Sequence, residues 1–235
     1  MLGAGARLGR IVASMYSWNC KRAALAGLVM AALPAGAHEV TGKVRVAGRA
    51  DNSVKTIVYA EALGGQAAAK ATRVRLAQKD KSFTPRVVAA PAGSTVDFPN
   101  EDPIFHNVFS LSQPAPFDLG LYRAGASKSR AFPQPAVYRV FCNIHPEMTA
   151  VLLVVPTDHI TEAAADGSFK LDLPAGRWRI TAWSERGQPA SAEVTVGTGP
   201  GAALELALDE TKFVELPHKN KFGQDYSKAA YSPKQ

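Results

Sequence analysis

Sulfur is scarce in this chain. Cysteine occurs twice, at Cys20 and Cys142, and methionine four times, at Met1, Met15, Met30 and Met148. Long apolar runs are scarce too. The one that stands out is AALAGLVMAALPAGA (residues 23–37), preceded by Lys21-Arg22 and ending with Ala35 and Ala37 in an A-x-A arrangement. A basic flank, a short apolar stretch and a small-residue ending predict a secretory signal peptide over residues 1–37, cleaved before His38. Gly27 and Pro34 break the run, and it is short for a bilayer span. A membrane-anchored amino terminus is the alternative reading, and Met15 an alternative start. No later stretch approaches transmembrane length, so the expectation is a periplasmic protein without a membrane span after cleavage.

Excess charge is also missing once the leader is set aside. Of the formal net charge of +7, four units come from Arg7, Arg10, Lys21 and Arg22, with no acid among residues 1–37. The remaining +3 is matched by a tail, residues 211–235, in which five lysines face Glu215 and Asp225. A near-neutral body offers no basic face to neutralise phosphates, which argues against nucleic-acid binding.

Helical periodicity is nearly absent. Its weak candidate, EALGGQAAAKATR (61–73), is interrupted by Gly64-Gly65 and reads as a linker. What is present is alternation between turn signals: VTGKVRV (40–46), VKTIVYAEAL (54–63), FTPRVVAAP (83–91), STVDFPN (94–100) and HNVFSL (106–111). The pattern continues in AVYRVFC (136–142), MTAVLLVVP (148–156), SFKLDL (168–173), RWRITAW (177–183), AEVTV (192–196) and ALELAL (203–208). Period-two patterning with Pro/Gly punctuation predicts an all-β chain of β-sandwiches. A boundary falls in TDHITEAAADG (157–167), and residues 210–235 read as a polar, Lys-rich tail, loose or laid along the body.

With the leader gone, Cys142 and Met148 are the two sulfurs left, and both lie in FCNIHPEM (141–148) around His145. One cysteine cannot form an internal disulfide, and a free thiol outside the cytoplasm invites oxidation unless something occupies it. On the strand AVYRVFC, residues Tyr138, Val140 and Cys142 share a face. Pro146 then forces a turn that aims a thiolate, an imidazole and a thioether at one point. His106 is the best fourth donor, placed after the Pro-containing loop of DFPNEDPIFHNVFS (97–110). Two imidazoles, one thiolate and a weak thioether suit copper in both oxidation states. A structural zinc site, which prefers more thiolates, is the alternative. Taken singly, Cys142, Met148 and His106 each read as core residues, and Tyr138, Phe141, Trp178 and Trp183 as packing. His159 and His218 read as solvated linker and tail histidines.

The stretch from Val74 to Pro156 resembles the cupredoxin family, the blue-copper fold of plastocyanin, pseudoazurin and amicyanin, including those of the methylamine-utilisation type. The resemblance rests on Gly93-Ser-Thr-Val-Asp-Phe, Asn100, Asp102, His106-Asn107-Val108, the Pro135-x-x-Tyr138-x-x-x-Cys142 approach and the C-x2-H-x2-M loop. It implies a Greek-key β-sandwich over residues 72–156. It also implies one type 1 copper ion held by His106, Cys142, His145 and Met148, with Asn107 hydrogen bonding near the thiolate and tying the two ligand loops together. Ala136 follows Pro135 where many relatives have glycine, and Glu147 places an anion beside the site.

DGSFKLDLPAGRWRITAWSERG (166–187) resembles a second, smaller transthyretin-like or carboxypeptidase-regulatory β-sandwich, spanning 163–209. Its first strands are expected from residues 38–65, so that the cupredoxin is inserted into it; the alternative gives 54–63 to the cupredoxin. Such units carry no catalytic groups, and no H-x-H pair or nucleophile–base set occurs, so the chain is expected not to be an enzyme. The resemblance implies one-electron transfer, with a periplasmic dehydrogenase or c-type cytochrome as redox partner. Copper storage or delivery is the alternative, and a structural or adhesive β protein a third.

Overall fold

A computed structural model describes residues 37–49, 54–65, 69–197, 203–215 and 217–226. The expected leader therefore lies outside the described residues except for Ala37, as does part of the linker after Gly65. Among the described residues all regular structure is β.

The chain opens with β1 (His38–Ala47) and β2 (Ile57–Ala62). It continues through β3 (Arg73–Arg75), β4 (Ala77–Lys79), β5 (Ser82–Thr84), β6 (Val87–Pro91), β7 (Ser94–Pro99) and β8 (His106–Ser110). Then come β9 (Phe117–Tyr122), β10 (Ser127–Phe132), β11 (Ala136–Phe141) and β12 (Thr149–Val155). The last strands are β13 (Ile160–Glu162), β14 (Ser168–Leu173), β15 (Gly176–Trp183), β16 (Ala190–Val196) and β17 (Leu204–Asp209).

Two sandwiches result. In the first, the sheet β6-β12-β11-β8-β9 lies against β10-β7-β3, and their inward residues form one core with Phe98, Phe132, Tyr138, Val140 and Leu152 fully or almost fully buried. In the second, β14-β1-β17 lies against β13-β2-β15-β16 around Val40, Phe169, Leu173, Trp178 and Ile180. Strand β2 pairs with β13 and β15, and β1 with β14 and, in parallel, β17. Both opening strands thus complete sheets whose other members follow residue 159, and none of residues 57–62 joins the first sandwich.

The run TAVLLVV explains how the two sandwiches meet. Its residues do not alternate between oil and water because both faces of β12 are covered. Ala150, Leu152 and Val154 enter the first core. Val151, Leu153 and Val155 join Val87, Ile57 and Trp183 in an apolar layer between β12 and the β2–β15 sheet. At about 25 cal/mol per Å² of apolar surface, such a layer makes independent motion of the sandwiches costly.

Alternation alone does not disclose every strand. Strand β9 carries Gly120 and β10 the polar SKSR, which hide the period; β10 buries only Phe132 fully. Strands β3 and β13 are three residues each, too short to show a period.

Candidate metal centre

Strand β11 alternates as its sequence requires, with Tyr138, Val140 and then Cys142 turned into the core and Cys142 wholly buried. The chain then turns at NIHPE and returns as β12, closed by two backbone hydrogen bonds. The Cys142 N–H donates to the Met148 carbonyl at 3.2 Å, and the Met148 N–H to the His145 carbonyl at 3.0 Å. His145 is half-buried at the loop tip, whereas Met148 is fully buried in the first core. Across the sheet, β8 pairs with β9 and carries a bulge between Asn107 and Phe109. A bulge redirects side chains locally, and every residue of β8 is buried.

The result is a convergent set. The Nδ1 atoms of His106 and His145 are 3.1 Å apart, and the Cys142 Sγ lies 3.9 Å from the first and 3.7 Å from the second. All three donor atoms fall within 4.8 Å of one another. Met148 closes the same loop with its own side chain buried.

Sequence reasoning left Asp102 without a separate role, yet it fixes His106. Its Oδ2 accepts from His106 Nε2 at 2.7 Å. A proton held on Nε2 leaves the Nδ1 lone pair free to face Sγ. The same carboxylate accepts the backbone N–H groups of Asp80 at 2.6 Å and Lys81 at 2.8 Å. Those two residues form the β4–β5 turn with φ of 53° and 51°, a left-handed pair that normally calls for Asn-Gly. Asn100 sets the loop by accepting the Asp102 N–H and donating to the Ile104 carbonyl. Burial pushes the Asp102 carboxyl up, but the bonds from Lys81, His106 and Asp80 outweigh it and hold the group below its ordinary range.

Asn107 joins the segments that carry His106 and Cys142. Its Oδ1 accepts the Asn143 N–H at 3.2 Å, and its Nδ2 donates to Asp118 at 2.7 Å. Burial raises the Cys142 thiol above its usual range; backbone N–H groups of Asn107, Ile144 and His145 pull the other way, and the Glu147 charge adds to the rise. A metal bound here must therefore displace a thiol proton. His145 is held below its usual range by burial first and by His106 next, which keeps it neutral and able to donate a lone pair.

Two histidines depart from the solvated reading. His159 meets the ring of Trp178 edge-on at 5.0 Å. His218 stacks on Phe141 at 4.1 Å and 19°, with its Nε2 2.6 Å from the Pro146 carbonyl. Nothing local in the tail sequence marks this contact, because it joins residues 72 positions apart.

No family model and no curated protein matches the chain. Among solved structures it is similar to a copper-containing nitrite reductase from Thermus scotoductus SA-01, at 28% identity over 40% of this chain, with a TM-score of 0.35. It spans a quarter (25%) of that enzyme's length. A purple cupredoxin from Nitrosopumilus maritimus is 20% identical over 35% of this chain and 99% of its own, with a TM-score of 0.33. The amicyanin of Paracoccus versutus is 20% identical over 41% of this chain and 98% of its own, with a TM-score of 0.34.

Proposed function

We propose that the chain is a periplasmic copper protein that passes single electrons through one type 1 site made by His106, Cys142, His145 and Met148. The observation that carries this reading is the convergence of two Nδ1 atoms and one Sγ, with His106 and Cys142 wholly buried and His145 half-buried. Bond lengths of about 2.0 Å to nitrogen and about 2.3 Å to sulfur, in a trigonal plane, require edges of about 3.5 Å between nitrogens and about 3.7 Å from nitrogen to sulfur. The observed edges of 3.1, 3.9 and 3.7 Å fit, with the imidazoles parting slightly. Closed zinc sites draw on two or more thiolates in most cases, whereas His2Cys with a weak thioether is the blue-copper donor set.

A copper ion bound there supplies one-electron redox chemistry. The protein's part is to hold the donors still. Asp102 orients His106, Asn107 ties the loop of Cys142 to β8, and β11 fixes Cys142 by burying its neighbours. Burial of the thiol also shields it from oxidants and from competing thiols, which favours electron passage over metal handover. His145 is the ligand nearest solvent, and the exposed Phe105 and Ile144 lie on the two ligand-bearing loops. Such an apolar surface suits brief docking of a redox protein such as a periplasmic dehydrogenase or a c-type cytochrome.

The test is to add cupric ion to the purified chain and record its visible spectrum. Strong thiolate-to-copper absorption that disappears in Cys142→Ser is expected. A colourless protein that still binds cuprous ion tightly overturns electron transfer in favour of storage or delivery.

A further inference from the structure

Within the polar tail, residues 217–226 clamp the loop that carries Cys142 and His145. Residues 217–226 are folded by their own bonds: Asn220 Oδ1 accepts the N–H groups of Phe222 and Gln224, and the Asn220 N–H donates to the Gln224 carbonyl. Lys219 and Asp225 pair across this turn at 2.6 Å. A segment so closed on itself can present fixed groups to a neighbour.

That neighbour is the loop of Cys142 and His145, and the tail meets it at three residues, Cys142, Asn143 and Pro146. The Tyr226 hydroxyl donates to the Cys142 carbonyl at 3.2 Å. The Lys221 N–H donates to Asn143 Oδ1 at 3.0 Å. His218 Nε2–H donates to the Pro146 carbonyl while its ring lies flat on Phe141, and Tyr226 meets that ring edge-on at 5.2 Å. The Lys221 ammonium then reaches Asp118 at 2.8 Å. Lys221, Asp118, Asn107 and Asn143 thus form a closed ring of hydrogen bonds around the junction of the two ligand-bearing segments.

We propose that residues 217–226 are a positioning strap of the metal centre, holding the loop between Cys142 and Met148 in the spacing that a bound ion needs. The inference rests on the copper reading above. A loop of five residues between its sulfur ligands has few bonds of its own to resist fluctuation. The strap occupies two of its carbonyl or side-chain acceptors, together with the carbonyl of Cys142 itself. Tyr226, Lys221 and His218 act through the loop and touch no ligand atom.

The experiment compares the full chain with the double variant His218→Phe/Tyr226→Phe, which keeps both rings and removes both donors, and with Lys221→Met. Cuprous-ion affinity is measured by competition with a chromophoric chelator, and amide exchange of residues 143–148 is followed without metal. The expected result is affinity weakened by about 10- to 100-fold, the scale for losing groups that orient a metal ligand, together with faster exchange in the loop. Val214→Ala, at a residue that is 70% exposed and lies outside the strap, should bind as the parent does. Equal affinity and equal exchange in parent and variants overturn the strap. A parent chain that takes up no copper with thiolate absorption overturns the reading on which it rests, a result distinct from the first.

Discussion

Replacing Asp102 by Asn tests whether one carboxylate organises the site. The side chain is 6% exposed by residue and accepts three N–H groups, from Asp80, Lys81 and His106 Nε2, at 2.6, 2.8 and 2.7 Å. An amide has one acceptor oxygen. In its best orientation that oxygen serves Lys81 and His106, and the NH2 group then faces the Asp80 N–H. The part-buried Asp80 N–H, left facing another donor, costs about 1–3 kcal/mol, and two bonds weakened from charged to neutral cost roughly 1 kcal/mol each. The total centres on about 4 kcal/mol. For a body of this size each kcal/mol moves the melting temperature by about 2–4 °C, so the metal-free variant should melt roughly 8–16 °C lower. In the other orientation the NH2 faces Nε2, which drives the imidazole proton to Nδ1 and blocks the donor atom. Copper affinity should therefore also fall, by about 10- to 100-fold. Thermal unfolding by circular dichroism reads the first effect, and chelator competition reads the second. A metal-free variant melting within about 2 °C of the parent would refute the reasoning.

Two further outcomes follow from the packing and charge. Leu153→Ala removes a side chain from the apolar layer shared by the two sandwiches and should cost about 2–5 kcal/mol in urea unfolding; a loss below about 1 kcal/mol would mean that the layer is not a true core. Glu210, its side chain 1% exposed, pairs with Arg49 at 2.5 Å and accepts from Ser184. Burial raises its carboxyl, but the bonds from Arg49 and Ser184 outweigh that and leave it below the ordinary glutamate range. Because the folded value is depressed, the stabilisation is present above the unfolded value and is lost as pH falls through the folded one. Glu210→Gln should flatten the acid limb of the stability curve, and an unchanged limb would assign that loss to other carboxylates.

Much of this architecture was legible in the chain because it is written locally. Alternation in VTGKVRV, SFKLDL and AVYRVF marks strands with one buried face, and the unbroken TAVLLVV marks one with two. His106, Cys142 and His145 could be singled out by residue chemistry and spacing, and the fold brings them together. What stayed hidden depends on contacts that no window contains. Strands β9 and β10 lack the period because β9 leaves Leu121 exposed and β10 turns Lys128 and Arg130 to its half-buried side. Asp102 sits four residues before His106, but its value comes from a turn twenty residues upstream. His218 looks like any tail histidine until Phe141 is found beneath it.

The pairing of β1 with β14 and β17 also has a bearing on how the chain is made. The first sandwich has every strand it needs once residue 155 has emerged, and among the described residues no strand before Arg73 belongs to its sheets. The second must hold its opening strands unmatched until residues 160–209 arrive, since Tyr59 waits for Ile160, His38 for Leu173 and Ala47 for Asp209. Domains form as units in the order of their synthesis, so the half that carries His106, Cys142 and His145 should take shape first and serve as a ready surface. The unmatched edges of β1 and β2 are then the part of the newborn polypeptide most in need of a chaperone.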